Sequence, residues 1–287
     1  MRSIYVFLFV IVIGKATSDQ SMKESDKTIL RKFEELSRNM KVLYSIHNRQ
    51  CFPCKPIIEY EGKICDCTEF RPKQDCRAFR EGGFKVNGLF RLKSTAKFNY
   101  LMAYCDQTTM GGGWTVIQRR QDGSVDFNER WHGYKMGFGS ITGEFWFGNE
   151  NIHELTKLSN APKNTELLIV MRMKGKTTTE YAKYNDFILG DEKSKYSLKM
   201  KYGGFSGNTS YNALVYNKDM KFSTIDSDNS VKRCVVNHGG GWWSKDCYES
   251  FLNGPYKFSG AHHPRIYWFI PKFQQPEFVE MKIRRIL

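Results

Sequence analysis

The sequence has no apolar segment long enough to cross a lipid bilayer. The apolar run at residues 4–13 contains ten residues, whereas a membrane-spanning helix needs about 20. Arg2 precedes this run and the small residues 16–18 follow it, a pattern typical of a secretory signal peptide over residues 1–18. An uncleaved signal anchor is the alternative. We therefore expect a secreted, extracellular protein without a membrane span.

The sequence also lacks the motifs of common enzyme classes. Residues 153–157 begin like a zinc-protease motif, but the second histidine is absent. The sequence contains neither a G-x-S-x-G nucleophile elbow nor a P-loop, and it has no internal repeat. These observations predict a protein that is not an enzyme.

Acidic residues are fewer than basic ones, 30 against 44, which gives a formal net charge of +14. Removal of residues 1–18 takes away Arg2 and Lys15, leaving 42 basic and 30 acidic residues and a charge of +12. A basic balance favours attraction to polyanions such as sulfated glycans or anionic cell surfaces. Because we expect secretion, nucleic acid is not expected as a partner.

Residues 19–47 are predicted to form a short coiled-coil helix. The apolar residues of this polar segment follow one another in alternate steps of four and three: Ile29, Phe33, Leu36, Met40 and Leu43. This is heptad spacing, although only about two and a half heptads are present. A short oligomerisation helix is the favoured interpretation, and an amphipathic helix lying on its own domain is the alternative.

Eight cysteines occur in the sequence, an even number that permits complete pairing. Four of them lie in a Cys/Pro-rich linker, residues 48–74: Cys51, Cys54, Cys65 and Cys67. Their spacings could suit zinc or redox chemistry, but secretion favours disulfides. Pairs within one protein molecule and pairs between molecules both remain open, and the latter would link a homo-oligomer through residues 21–67.

From Cys76 onward the sequence is rich in glycine and aromatic residues. Residues 166–174 and 196–202 show the partial alternation of β-strands, and residues 150–158 are predicted to be a short helix. Turn residues recur about every ten positions. The predicted fold class is α+β, with a mainly antiparallel sheet and long loops.

Residues 222–256 carry the strongest functional pattern. Asp226 and Asp228 lie in a turn-rich loop, where carboxylates at alternate residues can direct oxygens at one hard cation. Two cysteines that enclose a loop of about a dozen residues suit a disulfide worth about 3 kcal/mol. Within that loop, Trp242 and Trp243 are expected in the core rather than as sugar-binding platforms.

Several stretches occur in the order found in one known family. They are Asp75-Cys76, residues 88–90, 104–106, 111–127, 137–139, 142–149, 181–184, 220–224 and 281–284, together with residues 222–256. This set resembles the fibrinogen C-terminal domain, a family that includes ficolins, tachylectins, angiopoietins, angiopoietin-like proteins and tenascins. The resemblance covers residues 75–287, about three quarters of the sequence, and implies a fibrinogen C-terminal-like globular domain there.

The resemblance further implies a set of covalent and metal sites. The two implied disulfides are Cys76–Cys105 and Cys234–Cys247. The implied calcium ligands are the carboxylates of Asp226 and Asp228 and the backbone carbonyls of Ser230 and Lys232. The residue types agree with the implied calcium site, because oxygen donors at alternate residues can surround one hard cation. Positive charge on Lys232 and Arg233 should weaken the binding of the ion.

In the lectins of this family, an acetyl-binding pocket lies beside the calcium. The residues of this protein at the corresponding places are Arg233, His238, Tyr248, His262 and His263. Arg233 stands where those lectins have an asparagine, which changes the polarity of the expected pocket. Its ring-bearing side chains remain. The histidines could also bind metal or sense pH, but they are more often simple hydrogen-bonding residues of loops.

The leading hypothesis is a secreted, calcium-dependent, ficolin-like lectin of innate-immune type that binds acetylated or anionic glycans, with avidity from oligomerisation. The alternative is an angiopoietin-like ligand that binds a cell-surface receptor, and an extracellular-matrix structural component is a third interpretation. Asn208 begins an Asn-Thr-Ser acceptor, which predicts a glycoprotein.

Overall fold

The computed structural model divides the protein into two compact units, Met1–Phe52 and Pro53–Leu287. The described residues are 29, 31–32, 34–35, 51–59, 62–94, 100–157, 165–256, 266–270 and 272–286.

In the first unit, residues 29, 31, 32, 34 and 35 are helical and exposed. Ile29 is the only residue of the predicted apolar seam within the described part of the protein. Phe33, Leu36, Met40 and Leu43 lie outside the described residues, as does the signal peptide predicted over residues 1–18. The coiled coil and the oligomer that it would form therefore stay predictions.

The second unit is built on β-strands, with short helices between them. The strands are β1 (Lys55–Glu59), β2 (Gly62–Asp66), β3 (Gly88–Lys93), β4 (Tyr100–Asp106), β5 (Trp114–Arg120), β6 (Phe138–Gly139), β7 (Phe145–Trp146), β8 (Thr165–Met173), β9 (Thr179–Tyr184), β10 (Ile188–Leu189), β11 (Leu198–Lys199), β12 (Phe205–Gly207), β13 (Ser250–Phe251), β14 (Tyr267–Ile270), β15 (Lys272–Gln274) and β16 (Pro276–Arg285). The α-helices of the unit are α1 (Cys76–Glu81), α2 (Trp131–Met136), α3 (Asn149–Lys157) and α4 (Cys234–His238).

Eleven strands of the described residues form one sheet. Its order is β1-β2-β3-β4-β5-β16-β8-β9-β12, and β7 pairs with both β5 and β6. The pairs are antiparallel except for β2 with β3. Two smaller antiparallel sheets, β10-β11 and β13-β14-β15, complete the described sheets. The mainly antiparallel α+β architecture agrees with the predicted fold class.

The centre of the sheet is formed by β5, β16 and β8. Every residue of β5 is buried, and so are seven of the nine residues of β8, which explains why these strands lack strict alternation in the sequence. The predicted strand at residues 166–174 corresponds to β8 and the predicted helix at 150–158 to α3. The predicted strand at 196–202 is regular only at β11, because Lys195 and Tyr196 have positive φ angles that extended strands do not use.

A buried ion network ties the central strands together. The Lys282 side chain, 3% exposed, places its Nζ 2.6 Å from Oδ2 of Asp106 and 2.7 Å from Oε2 of Glu280. Arg119 Nε lies 2.7 Å from Oε1 of the same glutamate. Two cations and two carboxylates therefore compensate one another inside the sheet.

Residues 48–74 contain more structure than the predicted linker. From Lys55 to Asp66 the backbone forms the hairpin β1-β2, and β2 joins the main sheet by parallel pairing with β3. Gly88 permits this close approach, because a Cβ at that position would lie 1.9 Å from the Cys65 carbonyl oxygen. The sequence could not reveal this pairing, because the parallel partner is more than twenty residues away.

All eight cysteines are disulfide-bonded within the protein molecule. Cys54, the residue before the β1-β2 hairpin, is bonded to Cys67, the residue after the hairpin. Of the two possibilities open for the first four cysteines, the structure therefore has pairing within one molecule. No helix in the described part of the protein is both long and apolar enough to cross a membrane.

Candidate functional site

The segment at residues 222–256 contains α4 and β13. Phe222 is fully buried, and the backbone of Ser223 pairs with Trp242 through two hydrogen bonds. The disulfide Cys234–Cys247, which the resemblance implies, joins α4 to the far side of the glycine–tryptophan loop. The other implied pair, Cys76–Cys105, joins α1 to β4.

Asp226 is exposed and reaches across to a segment distant in sequence. Its Oδ1 accepts hydrogen bonds from the backbone N–H of Trp131 at 2.9 Å and from the hydroxyl of Thr224 at 2.7 Å. Trp131 is the first residue of α2, and the N-cap residue of that helix, Arg130, makes no side-chain capping bond. Asp226 therefore caps α2 from a distance. Burial alone would raise the pKa of Asp226, but these hydrogen bonds outweigh it and lower that pKa.

Asp228 caps the second helix of the site, α4. Its Oδ2 accepts the backbone N–H groups of Val235 at 3.1 Å and Val236 at 3.2 Å. Its Oδ1 accepts the backbone N–H of Ser230 at 2.9 Å and the hydroxyl of Ser230 at 2.6 Å. The N-cap residue, Arg233, makes no side-chain capping bond, so the half-buried Asp228 takes that role.

The two carboxylates are thus helix caps, and their chemistry also suits a hard cation. Carboxylate and carbonyl oxygens are the donors that Ca²⁺ prefers. Asp226 accepts both of its hydrogen bonds on Oδ1, whereas the four bonds to Asp228 take up about four lone-pair sites, the full set of a carboxylate. The amine of Lys232 lies 2.9 Å from Oδ1 of Asp246, so an anion offsets its charge. The predicted donor set has the oxygen chemistry that calcium needs, but Asp228 would have to give up hydrogen bonds at the start of α4 to bind the ion. Within the described residues, no group of three or more His, Cys, Asp and Glu side chains is placed to hold a metal.

The turn before α4 projects an apolar residue into solvent. Val231 is 87% exposed, and Lys232 and Arg233 beside it are also exposed. Arg233 adopts the left-handed conformation, with φ 53° and ψ 43°. We call these three residues the loop tip. Sequence reasoning did not identify Val231 as a site residue, because a single apolar residue in a turn carries no signal of its own.

Two residues expected in the acetyl pocket, Tyr248 and His238, pack against aromatic rings. The ring of Tyr248 stacks on Phe251, with centroids 4.1 Å apart and planes 10° apart, and Tyr248 is only 8% exposed. The half-buried His238 ring lies against Tyr248 at 5.7 Å. Burial raises the pKa of Tyr248. His262 and His263 lie outside the described residues.

The glycine–tryptophan loop belongs to the core. Trp242 and Trp243 are fully buried, and the indole N–H of Trp243 donates to the Tyr196 carbonyl at 2.8 Å. The backbone N–H of Gly241 donates to the Tyr134 hydroxyl at 2.7 Å. A Cβ at Gly241 would lie 2.5 Å from the Tyr134 ring, so only glycine fits here.

Asn208 is exposed, as a glycan acceptor needs to be. Its Oδ1 accepts the backbone N–H of Tyr181 at 2.6 Å, and its Nδ2 donates to the Thr179 carbonyl at 3.3 Å. Since the amide nitrogen has two hydrogens, attachment of a sugar would leave one for this bond. Glycosylation at Asn208 stays a prediction.

Comparison with known proteins gives consistent results. The family model for "Fibrinogen beta and gamma chains, C-terminal globular domain" matches residues 72–286. Fibrinogen-like protein A of Apostichopus parvimensis is 43% identical over 294 residues, covering 99% of this chain and 97% of that protein. Angiopoietin-related protein 7 of Homo sapiens is 36% identical over 219 residues, covering 73% of this chain and 61% of that protein.

The protein therefore spans about three fifths of the length of angiopoietin-related protein 7. Among solved structures, the fibrinogen-like globe domain of human ANGPTL6 has a TM-score of 0.67 and 34% identity, covering 76% of this chain and 97% of that one. The family model, the sequence relatives and the structure all match the region in which the sequence motifs occur. The protein belongs to the family of C-terminal globular domains found in the fibrinogen beta and gamma chains.

Proposed function

We propose that this protein is a secreted, non-catalytic ligand of the angiopoietin-like kind that binds a cell-surface receptor protein. The proposal replaces a ficolin-like lectin as the leading interpretation. It draws on the similarity to proteins named angiopoietin-related protein 7 and ANGPTL6. Its central physical support is the loop tip.

Val231 at 87% exposure is the observation that carries the proposal. Moving this side chain from water into an apolar recess of a partner would favour binding by about 25 cal/mol per Å² of apolar surface buried. Arg233 and Lys232 supply hydrogen-bond donors around it, and arginine is enriched in protein interfaces. A projecting tip of this composition suits a protein partner with an acidic rim around an apolar recess.

The geometry around Tyr248 favours the receptor over the acetylated sugar. A sugar site needs an open concave surface with polar groups that converge on the ligand. Here the tyrosine ring is stacked on Phe251 and only 8% exposed, so it offers little surface to an acetyl group.

Calcium has a supporting role in the proposal. Asp226 and Asp228, with the carbonyls of Ser230 and Lys232, would hold the ion and stiffen the loop behind the tip. In a thermal melt, millimolar CaCl₂ should raise the Tm of the wild type and leave that of Asp226→Asn unchanged. An unchanged wild-type Tm in calcium would remove the ion from the proposal.

Receptor recognition can be tested with the full secreted protein on an array of cell-surface receptor ectodomains. Val231→Glu should weaken binding to the receptor that responds at least tenfold, because a carboxylate would enter the apolar recess. Met136→Glu is the matched control, since Met136 is an exposed apolar residue of α2. Equal binding by wild type and Val231→Glu would overturn the proposal.

A glycan array with and without calcium provides the opposing test. Calcium-dependent binding to N-acetylated sugars would restore the lectin interpretation. Binding to matrix proteins instead of receptor ectodomains would favour the structural component of the extracellular matrix.

Assembly through residues 21–67 is part of the same proposal, because a multivalent ligand gains avidity at a cell surface. Since all eight cysteines are bonded within one molecule, the oligomer would be held without covalent links. Light scattering of the secreted protein should give a multiple of the monomer mass, whereas a non-reducing denaturing gel should give a monomer. A covalent multimer on that gel would contradict this arrangement.

A further inference from the structure

A second exposed surface, separate in composition from the loop tip, is formed where β11 pairs with the segment before Phe222. The backbone N–H of Leu198 donates to the Met220 carbonyl at 3.0 Å, and that of Asp219 donates to the Leu198 carbonyl at 2.8 Å. These bonds bring two lysine-bearing segments side by side. The lysines are Lys199, Lys201, Lys218 and Lys221, which we call the lysine ridge.

Two of these lysines lie at and just after β11. Leu198 and Met200 are buried, whereas Lys199 and Lys201 are exposed. Lys199 ends β11 and Lys201 precedes the turn that carries Tyr202, so the two lysines follow one another along the exposed side of this segment. Lys221 is exposed on the neighbouring segment.

The ridge is deficient in acidic partners. Its one aspartate, Asp219, lies 3.0 Å from the Lys199 amine and 2.9 Å from that of Lys218. Hydrogen bonds from these two lysines, that of Lys218 first, lower the pKa of Asp219. Within residues 198–202 and 218–221, four lysines against one aspartate give a net charge of +3. Among the residues that the structure describes, Lys201 and Lys221 make no ion pair.

An aromatic ring lies next to the lysine ridge. Tyr202 is 82% exposed, in a turn closed by the hydrogen bond from the Gly204 N–H to the Lys201 carbonyl at 3.2 Å. Lys218 Nζ lies 5.9 Å from the centre of the tyrosine ring. A tyrosine presented in this way offers a flat apolar face with a polar tip, which can pack against a sugar ring.

We propose that the lysine ridge and Tyr202 bind a sulfated polysaccharide. A linear polymer with a strong anion at each repeat matches a ridge of several ammonium groups, and its sugar rings match the exposed tyrosine. Lysine contributes compact point charges, which suit monovalent sulfate groups. A lipid surface fits less well, because one tyrosine is too little apolar surface to insert.

The ridge can be tested by measuring the affinity of the full secreted protein for heparin, the sulfated probe. Hyaluronan, which carries carboxylates only, and vesicles with 30% phosphatidylserine are the comparison surfaces. The variant is Lys201→Glu with Lys221→Glu. The matched control is Lys85→Glu with Lys174→Glu, which makes the same change of net charge at two other exposed lysines.

At physiological salt, the ridge variant should bind heparin at least tenfold more weakly than wild type, and the control no more than about twofold. Tyr202→Ala should also lower heparin affinity, without changing how steeply binding falls with salt, because it removes packing and no charge. Val231→Glu should keep most of the heparin affinity, which separates this surface from the receptor proposal.

Three results would overturn the proposal. Equal losses in the ridge and control variants would mean that diffuse net charge attracts heparin. Equal wild-type affinity for hyaluronan would remove the role of sulfate. Vesicle binding that is stronger than heparin binding and is lost in the ridge variant would assign the surface to membranes.

Discussion

Replacing Lys282 with methionine should destabilise the domain more than any surface charge change. The substitution keeps the length and apolar stem of the side chain but removes its charge from between Asp106 and Glu280. Loss of one partner from a buried ion pair costs about 3–5 kcal/mol, because it leaves a charge buried without compensation. For a domain of this size, that corresponds to a fall in Tm of about 6–20 °C.

The destabilisation should depend on pH in a defined direction. Burial by itself would raise the pKa of Asp106, but the charge and hydrogen bond of Lys282 outweigh burial and hold the pKa below its usual range. A carboxylate with a lowered pKa stabilises the fold above its unfolded pKa and loses that contribution as the pH falls through the folded value. The wild type therefore loses stability below about pH 4.

In the variant, acid protonates the stranded carboxylate and relieves the buried charge. The difference in unfolding free energy between wild type and Lys282→Met should therefore be large at pH 7 and smaller at pH 3. Urea titration followed by tryptophan fluorescence measures both values, with the disulfides intact. Lys199→Met is the control, because an exposed pair such as Lys199–Asp219 is worth less than about 1 kcal/mol. A loss below about 1 kcal/mol for Lys282→Met at pH 7, or an unchanged difference at pH 3, would refute the reasoning.

Three further substitutions test the site and its support. Asp228→Ala should lower the unfolding free energy by about 1–2 kcal/mol even in a calcium chelator, because the Asp228 carboxylate caps α4. An unchanged unfolding free energy in urea titrations with chelator would contradict the capping role. Glu144→Gln should lower the unfolding free energy by about 3 kcal/mol. The fully buried Glu144 carboxylate accepts hydrogen bonds from four backbone N–H groups and lies 3.7 Å from the buried Arg120. A Tm within about 2 °C of wild type would count against this prediction. Gly241→Ala should lower the unfolding free energy by about 1–3 kcal/mol, because the added methyl group clashes with the Tyr134 ring. Near-UV circular dichroism and thermal melts measure the effect, and an unaltered spectrum and Tm would show that the loop adapts.

The sequence predicted the family, the α+β class and the central strand β8, because these depend on motifs and local apolar patterns. The family model and the solved relative confirm the fold. The burial of Trp242 and Trp243 also followed from their size and their position in a disulfide loop.

The roles of single side chains depended on contacts between residues that are distant in sequence. Asp226 bonds to Trp131, 95 residues earlier, and no local pattern encodes that direction. The same limitation applies to Tyr248, whose availability for a ligand is decided by its stacking on Phe251. The exposure of Val231, at 87%, is likewise a property of the folded turn and is not encoded in the residue type.

The position of β16 in the sheet has a consequence for biosynthesis. This strand ends at Arg285 and lies between β5 and β8, so more than 150 residues separate Val279 from its partner Arg120. The disulfides Cys76–Cys105 and Cys234–Cys247 span only 29 and 13 residues and can close while synthesis continues. The sheet itself stays open along β5 and β8 until the last strand has left the ribosome. During that interval the nascent polypeptide exposes the apolar edges of β5 and β8, and unpaired edges of this kind favour aggregation and chaperone binding.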